Sequence, residues 1–143
     1  ELARVDRLIR RTPAELRAVS RDNLHRHLSR LPATNPVIRF GQRFGADLEM
    51  VRTLGLATYH AWAFATVRQL GVAAELAALY LQWLGAPEYE DATASFRALS
   101  GQSRTLLLKA ARAVNARREL DARMLLDEMA ASWDRAMSVL RCG

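Results

Sequence analysis

The feature that most constrains the fold is the apolar stretch ATYHAWAFATVRQLGVAAELAALYLQWLG, residues 57–85. Apart from tyrosines, its ionisable side chains are His60, Arg68 and Glu75. A membrane-spanning helix needs about 20 mostly apolar residues, and here the polar pair 68–69 and then Gly71 end the first apolar run too early. We therefore predict no membrane span, but an apolar pair of helices, 57–70 and 72–84, at the centre of a helical protein and covered on most sides by other helices.

The rest of the chain predicts an all-α fold, because apolar residues recur at three- and four-residue spacings and no alternating run is long enough for a sheet. Helix starts are predicted where a capping side chain precedes a periodic segment, at Thr12, Asn35 and Asp121. Apolar positions keep one helical phase through Gly101, which predicts a single long helix there. Together these segments predict a five- to six-helix bundle.

The first residues fit the helical pattern least well. We predict an N-terminal segment, 1–11, that is either a helical turn or the last strand of a missing preceding domain, followed by a helical domain at 12–143. Because the chain begins without Met, we expect it to be a fragment, a processed product or an incompletely recorded chain.

Basic residues are concentrated at the two ends of the chain, and the net charge is +6. Residues 1–52 carry 11 arginines and 6 acids, whereas residues 53–100 carry 2 arginines and 4 acids. Such a field attracts acidic proteins, nucleic acid or anionic lipid without selecting among them, and solvated helix faces are the simpler interpretation. Nucleic-acid binding is disfavoured, because the short helix pair is too apolar to enter a groove.

The polar groups of the apolar stretch have two interpretations. His60 is either a core histidine hydrogen-bonded to a neighbour or a group that orients a ligand or transfers a proton near neutral pH. Arg68 and Glu75 either pair with each other or with Asp47, Glu49 or Lys109, or else they form an anion site in which Arg68 faces a carboxylate or phosphate.

Motifs for phosphate, dinucleotide or zinc binding and for a nucleophile elbow are absent from the sequence. We therefore expect no metal site, no directly bound cofactor and no catalytic residue in this chain. The single cysteine, Cys142, excludes an internal disulfide and fits a reducing compartment, which predicts a cytoplasmic location.

Four segments carry a resemblance to a known family: LHRHLSRLPATNPVIRFGQRFGADLE, YHAWAFATVRQLGVAAELAALYLQWL, TLLLKAARAV and LLDEMAASWDRAM. They resemble the C-terminal half of an uncharacterised bacterial family often encoded beside amino acid:carrier-protein ligases. The N-terminal portion of that family is similar to butirosin-type, papain-like acyltransferases, which move an acyl or aminoacyl group from a carrier-protein thioester to an amine. The cysteine and histidine of that portion do not map onto this chain.

The resemblance implies a helical accessory half of an aminoacyltransferase whose catalytic half lies outside the chain. An acidic carrier protein is the expected partner, approaching candidate contacts on the basic N-terminal third: Arg17, Arg21, Arg26 and Arg30. The central helices would wall a slot for the phosphopantetheine arm and its acyl group, with these candidate binding residues: Tyr59, His60, Arg68, Glu75 and Lys109. The alternative is a stand-alone helical module that binds an acidic protein or nucleic acid.

Overall fold

The computed structural model describes residues 9–142, excluding the side chain of Cys142. The chain forms two compact units, the first ending at Leu31 and the second beginning at Pro32. The described residues contain six α-helices and one 3₁₀ turn and no strand. The predicted all-α fold is confirmed. The expected strand or turn at the start of the chain falls on residues 1–8, outside the described residues, and stays a prediction.

The first unit contains one described helix, α1 (Pro13–Leu28). Thr12 caps it as predicted: the Thr12 hydroxyl accepts from the Glu15 backbone N–H at 3.3 Å, and the Glu15 carboxylate accepts from the Thr12 N–H at 2.7 Å. The bond from the Thr12 N–H, together with a second from the Thr12 hydroxyl to the same carboxylate at 2.9 Å, lowers the pKa of Glu15. No side chain of α1 is buried, so its capping box and helix propensity, rather than a core, define the helix.

The second unit begins with α2 (Pro36–Leu54). The Asn35 side chain accepts from the Val37 N–H at 2.8 Å, as predicted for a cap, and its amide also donates to the Ala130 carbonyl of the last helix at 3.0 Å. The helix ends at Gly55, whose φ of 94° favours glycine. One asparagine thus starts this helix and ties it to another.

The apolar stretch forms α3 (Leu56–Ala65) and α4 (Val67–Leu84). The predicted boundary at Gly71 is wrong. The helix breaks at Thr66, whose backbone has φ −122° and ψ −89° and whose hydroxyl donates to the Trp62 carbonyl at 2.8 Å. Gly71 lies within α4 for a packing reason: a Cβ there would lie 3.1 Å from the Ser103 Cβ, so its absence allows α4 close to the next helix.

After a 3₁₀ turn, Pro87–Tyr89, the chain enters α5 (Glu90–Ala116), which runs unbroken through Gly101 as predicted. The last helix is α6 (Arg123–Cys142). Asp121 accepts from the first backbone N–H of α6 at 3.1 Å, and its carboxylate also binds the Arg123 guanidinium at 2.7 Å. The side-chain bond from Arg123, with this cap, lowers the pKa of Asp121 to about 2.

The core of the second unit is built around α5, which packs against α4 and α6 and also contacts α2 and α3. Leu99, Leu106 and Ala110 of α5 are fully buried. An aromatic cluster joins α2 to α3, with ring centroids 5.7–6.3 Å apart: Phe40, Phe44, Tyr59 and Trp62. These ring contacts hold α3 against α2.

The apolar helix pair is not covered on most sides, contrary to the prediction. One face of α4 is buried, whereas four large apolar side chains lie on its other face with 41–60% exposure: Val72, Leu76, Leu79 and Trp83. Phe64 of α3 is also 56% exposed. A helix that its own domain surrounds and a helix with one covered and one exposed apolar face have similar apolar sequences. The sequence pattern therefore does not distinguish the two cases.

Candidate functional site

A cleft of about 490 Å³ lies between the α3–α4 pair and α5. Its walls are mainly apolar and come from both sides: Ala63, Phe64, Val67, Val72, Leu107 and Leu108. Ligand sites are commonly clefts of about 300–1,000 Å³ with apolar walls and a few polar groups. The size and composition of this cleft fall in that class.

Four of the five residues predicted to bind substrate line this one cleft: Tyr59, His60, Arg68 and Glu75. The fifth, Lys109, is exposed and does not line it. On α5 the cleft is lined by Leu108 and Ala111, among others. Lys109 follows Leu108 and is therefore rotated about 100° around the helix from it. The structure therefore brings together four predicted side chains that the sequence separates by up to 16 positions, and it excludes Lys109 from the group.

Glu75 pairs with Arg104 of α5, and the Ser100 hydroxyl donates to the same carboxylate oxygen at 3.3 Å. The predicted Arg68–Glu75 pair is not formed. The two residues lie seven positions apart on α4, which is a rise of about 10 Å, whereas Arg104 projects from the facing helix. The pair is half exposed, so it contributes little to stability and holds two charges at the rim of the cleft.

Arg68 lies over an aromatic ring instead of beside an acid. Its guanidinium carbon is 5.4 Å from the centroid of Phe64. Neither of the other acids considered for it is its partner: Asp47 is 3.6 Å from Arg43, and Glu49 binds Arg52 at 2.6 Å. When a guanidinium group stacks on an aromatic face, its N–H groups still point outward in the guanidinium plane. An incoming anion can accept hydrogen bonds from them there.

His60 is exposed at the cleft, so its interpretation as a core histidine is wrong. The buried positions of α3 are Tyr59 and Ala63, and His60 is rotated about 100° from the first of them. The predicted stripe assumed a helix that continues to residue 70, but the break at Thr66 changes the direction of the chain before α4 begins. The imidazole is thus available to a ligand.

Tyr59 forms part of the cleft wall with its hydroxyl already engaged. The residue is 1% exposed, and its hydroxyl donates to the Leu107 carbonyl of α5. Burial raises the pKa of the Tyr59 phenol. Its ring lies 5.7 Å from that of His60, with an interplanar angle of 60°. Tyr59 therefore positions α3 on α5, and its ring packs beside that of His60.

The charges at the cleft favour an anion. Two guanidinium groups, Arg68 and Arg104, lie at its edge together with a single carboxylate, Glu75, which already binds one of them. The hydroxyl of Ser103 is buried and donates to the Leu99 carbonyl at 2.8 Å. The available groups can thus bind and orient an amphiphilic ligand that carries an anionic or hydrogen-bonding end.

Sequence reasoning missed Arg104 and Ser100, which hold Glu75 from across the cleft. Their spacing of four residues on one long helix places them on one face, which is a signal visible in the sequence. The sequence does not show which helix that face meets. The pairing depends on the register between α4 and α5.

The candidate partner-binding arginines lie in the first unit, whose helix α1 has no buried side chain. Arg17, Arg21 and Arg26 belong to α1, and Arg30 follows it; all four are exposed. Arg26 donates to the Asn23 side chain at 2.6 Å. Their role in binding a partner stays a prediction.

Neither a membrane-spanning helix nor a cluster of metal ligands is found among the described residues. No helix within residues 9–142 has both the length and the apolar character needed to cross a bilayer. In the same range no three His, Cys, Asp or Glu side chains converge as a metal site would require. These findings apply to the described part of the chain.

Comparison with known proteins identifies a family. Residues 13–142 match the DUF1839 C-terminal domain, so the match includes every described helix. No curated protein and no solved structure matches the chain. The match confirms the predicted membership in an uncharacterised family and the prediction that the chain corresponds to its C-terminal part. The chain belongs to the family defined by the DUF1839 C-terminal domain.

Proposed function

We propose that this domain is the helical, substrate-binding half of a carrier-protein-dependent aminoacyl- or acyltransferase whose catalytic residues lie outside the chain. The observation that carries the proposal is the cleft of about 490 Å³, where His60, Arg68 and the Glu75–Arg104 pair meet apolar walls. The resemblance of the family's N-terminal portion to butirosin-type acyltransferases supplies the reaction class. A cytoplasmic location belongs to the same proposal, since a single cysteine suits a reducing compartment.

The cleft fits the chemistry of an acylated phosphopantetheine arm. The arm has a phosphodiester at one end and a thioester with its acyl group at the other. Arg68 presents guanidinium donors suited to a phosphate or carboxylate, and Phe64 and Leu108 offer exposed apolar surface beside it. An aminoacyl ammonium group would bind Glu75, although it would have to share that carboxylate with Arg104.

The first unit supplies a surface for an acidic carrier protein. α1 has exposed arginines and no buried side chain, so its charges lie in solvent, where they steer an oppositely charged protein over long range. Such attraction raises the association rate and weakens with added salt, because ions screen exposed charges. This charge distribution supports a carrier protein as the partner.

The cleft half of the proposal is tested by calorimetric titration of the chain with an acylated phosphopantetheine. Arg68→Gln and Arg104→Gln should each weaken binding about tenfold, as expected for loss of a charge-assisted hydrogen bond. Lys109→Gln is the matched control, because it removes a nearby cation of α5 that does not line the cleft. Equal effects of all three substitutions, or no binding by the unaltered chain, would refute a specific arm site.

The partner half is tested by measuring association with an acidic carrier protein at increasing salt. Arg17→Glu combined with Arg21→Glu should slow association and reduce its salt dependence. Arg112→Glu combined with Arg141→Glu, two exposed changes outside α1, controls for net charge because it shifts the charge by the same amount. Unchanged association of the double variant would contradict the assignment of this surface.

A second candidate function, a stand-alone interaction module, is favoured by α1 alone, since a basic helix without buried side chains can bind an acidic protein or nucleic acid. The same titration distinguishes it. Tight, salt-sensitive binding of a DNA or RNA duplex, together with no binding of the acylated arm, would support the module and exclude the transferase half.

A further inference from the structure

The exposed face of α4 has a regular pattern. Its large apolar side chains follow at steps of four, three and four residues: Val72, Leu76, Leu79 and Trp83. At about 100° per residue they fall within an arc of roughly 60°. We call these four residues the outer stripe. Heptad-like spacing of this kind is typical of a helix face that packs against another helix.

The outer stripe is symmetric about its own midpoint, which lies between Ala77 and Ala78. If a second α4 packs against it in the antiparallel direction about that midpoint, Leu76 faces Leu79 of the other copy, and Val72 faces the other Trp83. Each large residue then meets a large residue, as a twofold interface requires. We propose that the outer stripe is an antiparallel interface between two copies of this chain.

Polar residues beside the outer stripe agree with that arrangement. Glu75 and Gln82 lie on the same flank, and antiparallel pairing places Glu75 of one copy beside Gln82 of the other. Gln82 accepts from Arg97 at 2.7 Å, so each carboxylate meets an amide held by a guanidinium group. Arg68 also lies beside the C-terminal end of the other α4, where unpaired carbonyls favour a cation. On this flank each carboxylate thus meets a neutral amide of the other copy, and Arg68 meets partial negative charge.

The interface connects with the cleft, because Val72 belongs to both. The partner subunit's Trp83, facing Val72, borders the cleft mouth and adds an aromatic wall. An interface built on one helix face is small, so the dimer is in the weak, micromolar class. The proposal rests on the pattern of α4 and does not depend on which ligand the cleft binds.

The direction of pairing can be tested by substitutions whose outcomes differ for parallel and antiparallel dimers. In the variant Leu76→Glu/Leu79→Glu, each substituted position faces a carboxylate of the other copy in either direction of pairing, so the variant should be monomeric. In Leu76→Glu/Leu79→Lys, an antiparallel pair sets a carboxylate against an ammonium and should remain dimeric, whereas a parallel pair would oppose like charges. Leu54→Glu, an exposed leucine at the end of α2, is the control and should dimerise normally.

Analytical ultracentrifugation over a range of protein concentrations measures whether each variant is a monomer or a dimer. Circular dichroism checks that each variant keeps its helices. A monomeric unaltered chain, a dimeric Glu/Glu variant or a monomeric Glu/Lys variant would each overturn the proposal. Disulfide crosslinking provides an independent readout. In a Cys142→Ser background, Val72→Cys combined with Trp83→Cys should form a covalent dimer on oxidation, whereas Val72→Cys alone should not, since the two copies of position 72 lie at opposite ends of the interface. Equal crosslinking of both would overturn the antiparallel arrangement.

Discussion

The two faces of α4 differ in side-chain size more than in polarity. The face toward α5 contains small residues at its centre, Gly71, Ala74 and Ala78, all buried. The opposite face carries the outer stripe of larger side chains, which are exposed. Small residues let two helices approach closely within the domain, whereas large ones project beyond it. The small residues at its centre thus mark the covered face of this apolar helix, which apolarity alone does not do.

The largest expected effect comes from the same substitution made on each face. Leu81 is 2% exposed and Leu79 is 53% exposed. Leu81→Ala should lower the free energy of unfolding by about 2 to 5 kcal/mol, because it leaves a cavity. Leu79→Ala should change it by less than about 0.5 kcal/mol. Urea denaturation at protein concentrations below dimer formation measures both, and similar losses would contradict the assignment of the two faces.

Gly71→Ala tests how closely the small-residue face packs. The added Cβ would lie 3.1 Å from the Ser103 Cβ, so we expect a loss of about 1 kcal/mol despite the better helix propensity of alanine. Gly101→Ala is the matched control: no neighbouring atom lies within 4 Å of its added Cβ, and the change should stabilise α5 by about 0.5 to 1 kcal/mol. If both changes stabilise the protein, the face of α4 at Gly71 is not closely packed against α5. A double-mutant cycle with Ser103→Gly should show that the Gly71→Ala cost depends on residue 103.

Tyr59→Phe tests the hydroxyl that anchors α3 to α5, and we expect a loss of about 1 kcal/mol, since the Leu107 carbonyl loses one hydrogen bond. The effect should depend on pH. Burial raises the pKa of the folded phenol above its ordinary value of 10.0, so above that pH the unfolded state binds fewer protons and stability falls. The Tyr59→Phe variant should lack this part of the alkaline decline. Parallel declines of both proteins in urea midpoints would argue against a buried phenol.

A small effect on stability is expected at the boundary between the two faces. Glu75 and Arg104 are half exposed or more, so Glu75→Gln should change the free energy of unfolding by less than about 1 kcal/mol. Thermal denaturation at low and high salt measures it. A large loss that persists in high salt would show that the pair is a structural anchor and not a rim of the cleft.

Sequence patterns predicted the helix starts well, because a cap is a local interaction. The side chains of Thr12 and Asn35 accept from backbone N–H groups within three residues, and Asp121 accepts from the backbone N–H two residues later. The break at Thr66 was missed because Gly71 is the more usual helix breaker. Glycine at 71 serves close packing against Ser103 instead, and that contact belongs to a distant segment.

The candidate site was predicted in part. Tyr59, His60, Arg68 and Glu75 stand out because polar groups are rare in an apolar stretch, and all four reach one cleft. Their partners could not be read from the sequence, since Arg104 meets Glu75 through the packing of α4 on α5. The sequence also did not show which apolar side chains of α4 are exposed, because an exposed apolar face and a buried one have the same periodicity.

The most direct test of the two-faced α4 is the rate of thiol labelling at two positions of a Cys142→Ser background, Leu79→Cys and Leu81→Cys, in dilute solution. Solvent reaches position 79 directly, whereas position 81 reacts only after the structure opens. The structure predicts labelling at position 79 close to the rate of an unfolded peptide and labelling at position 81 slower by orders of magnitude. Equal protection of both positions in the monomer would contradict it, because α4 would then be covered on both faces by its own domain.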